Sequence, residues 1–124
     1  MTNQKNLDQF YKDITTGGQS DSQHEFVKGN NIYFHATNSE NAESILLHGF
    51  DWENNEFKQS YFGKSFYICK KFADHHPKYT IFAVDLNNLI SDESKKDKFL
   101  IENGVIKVKD LISPNNIIGY IQLP

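Results

Sequence analysis

The stretch "FLIENGVIKVK", residues 99–109, constrains this chain more than any other. Asn103 and Gly104 form the dipeptide that two-residue hairpin turns require, because both central positions of such a turn take a positive φ. The apolar and β-branched residues on either side then become two antiparallel strands. A second run, "NIYFHAT", and a third, "KYTIFAVDL", are β-branched and aromatic and read as strands, as does the closing "IIGYIQL" after the turn "SPNN". "SFYICK" is read as one more strand, and "KKFADHH" as a short helix closed by Pro77.

Helical signals cluster early. Leu7, Phe10, Tyr11 and Ile14 fall at i, i+3, i+4 and i+7, one face of a short helix ending before "TTGG". Thr37 and Glu40 have the T-x-x-E spacing of a capping box, Ser39 competes as N-cap, and Ala42, Ile45 and Leu46 make an apolar stripe that Gly49 terminates, with Phe50 packing back. His48 suits the negative end of that helix. Residues 17–31, the polar "DWENNEFKQS" and the charged "NNLISDESKKDK" read as loops. Five or six short strands, two or three early helices and no βαβ rhythm predict an α+β fold. At 124 residues this is a single domain: an N-terminal helix and mobile loop over 1–30, packed on a domain over 31–124.

Thirteen Lys and Arg against sixteen Asp and Glu, scattered along the chain, supply no basic face for a phosphate backbone. A protein is therefore expected as any macromolecular partner sooner than a nucleic acid. Cys69 is the sole cysteine, which excludes an internal disulfide and fits a reducing compartment. The first ten residues lack the apolar core of a signal peptide, and no apolar run has the length of a membrane span. The expectation is a cytoplasmic protein, or one delivered into a target cell by a dedicated secretion system. No metal site is expected: neither C-x-x-C nor H-E-x-x-H occurs, and the adjacent His75 and His76 would diverge on a helix. Cys69, in an apolar run, reads as a small buried hydrophobe. No G-x-S-x-G elbow, Walker loop or G-x-G-x-x-G is present.

What remains is an ordered set: His35-Ala36-Thr37 at the end of a strand, Gly49-Phe50 at the end of a helix, Phe62-Gly63-Lys64-Ser65-Phe66-Tyr67, then Ala73 on a small helix before "IFAVDL". In this order the residues resemble the ADP-ribosyltransferase fold of the histidine-tyrosine-glutamate group, which includes diphtheria-type toxins and the poly(ADP-ribose) polymerases. The resemblance runs from about Ile32 to Leu86 and more loosely to the end. It implies a split mixed or antiparallel sheet with short helices and a cleft for NAD, the substrate. It also implies NAD binding by His35, Ala36, Thr37, Phe62, Gly63, Ser65 and Tyr67, with Tyr67 and Glu102 in catalytic roles. His35 would bond a ribose hydroxyl, the Ala36 main chain the carboxamide, and the Tyr67 ring would stack on the cationic nicotinamide. Thr37 would serve either the adenine-side ribose or the helix cap.

The implied activity is transfer of ADP-ribose to a protein or nucleic-acid target, in the manner of a toxin or effector. The sequence departs from the family pattern at Ala36 and Ser65, where glycines are usual, and at the carboxylate. Asn103 or Gly104 aligns with the family's glutamate, and Glu102 stands one or two residues early. Side chains alternate along a strand, so that offset aims Glu102 away from the cleft. Two other expectations follow: a binding module of the same fold without turnover, recognising a nucleotide or partner protein, and an NAD glycohydrolase using water as acceptor.

Overall fold

The computed structural model describes residues 4–54, 58–75 and 78–123. The elements in chain order are α1 (Gln4–Thr15), β1 (Ile32–Asn38), α2 (Ala42–His48), β2 (Ser60–Gly63), α3 (Phe66–Asp74), β3 (Tyr79–Asp85), α4 (Asn87–Ile90), β4 (Phe99–Glu102), β5 (Val105–Val108) and β6 (Ile117–Gln122). The strands form one open antiparallel sheet in the order β4-β5-β2-β1-β3-β6, so the fold is α+β.

Alternation along the strands builds two apolar layers, one on each face. Ile32 and Phe34 of β1, with Ile81 and Ala83 of β3, pack under α1 and α3 against Leu7, Phe10, Ile14 and Phe66. Tyr33, Phe82 and Val84 face the other way, with Phe50, Phe62, Ile106 and Val108. Phe10 is fully buried and contacts Phe34 and Phe66, which makes the N-terminal helix part of the core. No described helix is long and apolar enough to cross a membrane.

The hairpin β4–β5 forms as its Asn-Gly turn predicts, with φ of 55° at Asn103 and 77° at Gly104. Gly49 takes φ 78° where α2 ends. Phe50 next to it exchanges main-chain hydrogen bonds with Ile112, and a Cβ at Gly49 would collide with the Ile112 carbonyl.

Three local readings are corrected. "SFYICK" is not a strand: the strand is the preceding Ser60–Gly63, and Phe66–Asp74 is one helix. Ser65 caps that helix by accepting the Ile68 N–H, and Phe66, Cys69 and Ala73 lie along its inward face at helical spacing. The Thr37–Glu40 capping box does not form, because Thr37 belongs to β1 and the Asn38 side chain accepts the Glu40 N–H instead. "NNLISDESKKDK" contains α4, whose Leu89 is buried, and a 3-10 segment Glu93–Lys98 capped by Asp92. The expected stop at Pro77 and the residue His76 lie outside the described residues.

Candidate functional site

The sheet is not uniformly joined. β1 pairs with β3 along its whole length, and β2 with β5 along its whole length, yet β1 and β2 share one ladder position, Phe34 opposite Gly63. Beyond it, toward Thr37 and Ser60, the two strands part.

Ladder parity fixes what faces the parting. The Ser39 N–H donates to the Lys78 carbonyl, and the Leu86 N–H to the Asn31 carbonyl, so odd-numbered residues of this segment bond toward β3. Main-chain groups of an antiparallel strand alternate sides, so the N–H and C=O of Ala36 are directed toward β2, where the ladder has stopped.

His35 bridges the parting. Its Nδ1 lies 2.7 Å from the Tyr61 carbonyl, and since a carbonyl only accepts, Nδ1 carries the proton and Nε2 of the neutral ring keeps its lone pair. The ring meets Phe50 edge-on at 5.0 Å and lies 5.5 Å from Phe62. Burial among these rings lowers the His35 pKa below 6.5, outweighing the Tyr61 hydrogen bond, which favours the charged form. Burial therefore favours the neutral form of the His35 imidazole. Beside it, the Thr37 hydroxyl accepts a hydrogen bond from Asn41 at 3.3 Å.

Thus His35, Ala36, Thr37, Phe62 and Gly63 come together at the parting. Ser65 and Tyr67 do not join the His35 ring. The Ser65 hydroxyl donates to Asp21 at 3.2 Å, and the same carboxylate oxygen accepts the Tyr67 N–H at 3.1 Å, an anion held at the start of α3. Tyr67, 41% exposed, donates its hydroxyl to the Ile14 carbonyl at 2.5 Å, on the α1 face of the sheet. It lines a concavity of about 540 Å³ with Tyr11, Lys70 and Lys71. A larger one of about 620 Å³ lies between α1, residues 24–31 and the end of β3. His35 lines neither.

Glu102 stands opposite Val105 and shares its face, whereas Ile106 and Val108 share the face of Phe62 and of the His35 ring. It is exposed and lies 3.9 Å from Lys107. No group of three or more His, Cys, Asp or Glu that could hold a metal ion occurs among the described residues.

Residues 17–31, read from sequence as a plain loop, contribute two fastenings. Asp21 holds the start of α3, and His24 accepts the Phe26 N–H at Nδ1 while donating from Nε2 to Asp13 of α1 at 2.8 Å. The His24 and Gln9 hydrogen bonds, in that order, hold the Asp13 carboxyl below its ordinary range. Lys64, just past β2, donates to the Asn30 carbonyl at 2.7 Å and lies 5.0 Å from the Tyr33 ring centre. These are contacts between segments distant in sequence, and no local pattern announces them.

No protein-family model matches this sequence, and no curated protein matches it.

Proposed function

We propose that this chain is a small ADP-ribosyltransferase-like domain that takes NAD in the parting between β1 and β2 and transfers ADP-ribose to a macromolecular target. One observation supports the reading: β1 and β2 share a single ladder position, Phe34–Gly63, and beyond it the Ala36 main chain is directed to the β2 side next to the His35 ring, whose Nδ1 bonds the Tyr61 carbonyl. A carboxamide offers one donor group and one acceptor, which a strand's N–H and C=O complement. An Nε2 lone pair on a fixed neutral ring accepts from a ribose hydroxyl. Phe62 and Phe50 hold that ring in place. Tyr67, engaged with Ile14, has no stacking role in this reading, and α3 would have to shift to give it one.

A second reading, a module that binds a nucleotide without turning it over, is favoured by the placement of Glu102. Cleavage of the nicotinamide–ribose bond builds positive charge that a carboxylate must stabilise. Glu102 faces away from the His35 ring and lies beside Lys107. The test is a calorimetric titration with NAD, alongside incubation with labelled NAD, with and without cell lysate. Binding that His35→Ala abolishes, together with label transferred to a target, supports the transferase. Binding with neither transfer nor nicotinamide release supports the module, and nicotinamide release alone supports an NAD glycohydrolase. Absence of any NAD binding refutes the site.

A further inference from the structure

We propose that the outer edge of β4 is a self-complementary docking strand, through which a second copy of this chain pairs to make a continuous sheet. Among the described residues β4 is the last strand on its side of the sheet, and Leu100 and Ile101 on it are 54% and 46% exposed. An uncovered apolar edge offers a row of main-chain donors and acceptors for another strand.

Which residues offer them is fixed by the hairpin. The Lys109 N–H donates to the Lys98 carbonyl, so the even-numbered residues of this strand bond inward to β5. The N–H and C=O of Phe99 and Ile101 therefore point outward. An antiparallel copy related by a two-fold axis at Leu100 sets Phe99 opposite Ile101 of the second copy, and Ile101 opposite its Phe99. Both pairs exchange main-chain hydrogen bonds, as the parity requires.

The same axis decides the side chains. Leu100 meets Leu100 of the second copy, and Lys98, the last residue of the 3-10 segment, which its carbonyl's bond to the Lys109 N–H keeps in line with β4, comes opposite Glu102 of the second copy, as Glu102 comes opposite its Lys98. These are non-hydrogen-bonded positions, where opposing side chains approach most closely. The segment "KFLIE" thus reads as its own partner: opposite charges at the ends, aliphatic contact at the centre, and hydrogen-bonding parity in register. That charge complementarity selects a second copy as the occupant, over an unrelated strand.

Sedimentation equilibrium of the full chain, from micromolar to millimolar concentration, tests this. A monomer–dimer equilibrium is expected. Ile101→Pro, which removes an outward N–H and leaves the β4–β5 bonds intact, should give a monomer, as should Leu100→Lys, which sets two ammonium groups face to face. Lys98→Glu and Glu102→Lys alone should each weaken dimerisation roughly tenfold, since the two-fold axis doubles every like-charge contact, and the double reversal should restore it. Circular dichroism checks that each variant is folded, and if Ile101→Pro is not, the charge-reversal set decides. A wild-type monomer at millimolar concentration overturns the proposal. So does a dimer indifferent to Ile101→Pro, or a double reversal that stays as weak as the singles.

Discussion

His35→Phe separates the two forces acting on the imidazole. The substitution keeps an aromatic ring between Phe50 and Phe62 and deletes the Nδ1–H that reaches the Tyr61 carbonyl. Near pH 7.5 the variant should be less stable by about 1 kcal/mol, the usual net worth of one hydrogen bond. The pH dependence then discriminates. Burial puts the folded-state pKa of His35 below 6.5. As pH falls through 6.5 the unfolded chain takes up a proton that the folded one resists, so the wild type loses stability between 6.5 and the folded pKa. The slope approaches about 1.4 kcal/mol per pH unit at most. The Phe variant lacks this dependence, so the stability gap should narrow from pH 7.5 toward pH 5. Urea unfolding of both proteins at each pH, followed by circular dichroism and Trp52 fluorescence, measures it, and subtraction removes the other histidines. A gap that widens on acidification would refute the reasoning. It would mean that the imidazolium is favoured in the fold, as a carboxylate facing His35 would make it.

Asp13→Asn should loosen residues 20–30, seen as faster hydrogen exchange at the Phe26 amide. In the wild type the lowered Asp13 pKa gives stabilisation that is present above pH 3.8 and lost as pH falls through the folded value. Gly49 and Gly104 share nearly the same φ, 78° and 77°, but a Cβ at Gly104 meets nothing within 4 Å. Gly104→Ala should therefore cost only the left-handed penalty, about 1–2 kcal/mol, and Gly49→Ala substantially more, both read from chemical denaturation. Phe66→Ala, which opens a hole against Phe10, Tyr11 and Phe34, should cost about 3–5 kcal/mol. Burial pushes the Cys69 thiol up to about 11, so a thiol reagent at pH 8 should label the native protein far more slowly than the unfolded one.

Where local chemistry decides structure, the sequence is readable. The Asn103–Gly104 turn, the helix stop at Gly49 and the strands of β1 and β3 follow from φ requirements and β-branched runs. The helix α3 was legible too, in the Phe66, Cys69 and Ala73 spacing behind the Ser65 cap, but its dense aromatic and β-branched start imitates a strand. That confusion moves Tyr67, since a helix and a strand aim the same residue differently. Alternation along β4 and β5 sets Glu102 on the face of Val105, the opposite face to Ile106, as their register shows. The parting of β1 from β2, and the grip of Asp21 on a helix forty-odd positions away, depend on which segments meet, and a linear pattern carries no such information.

The single ladder position between β1 and β2 also divides the sheet as a cooperative object. One three-stranded unit, β2-β5-β4, contains the local hairpin, and the other, β1-β3-β6, is held only by pairings between strands far apart in sequence. Ladder pairing within each unit far exceeds the single position between them, so amide protection is expected to fall into two sets with separate opening energies.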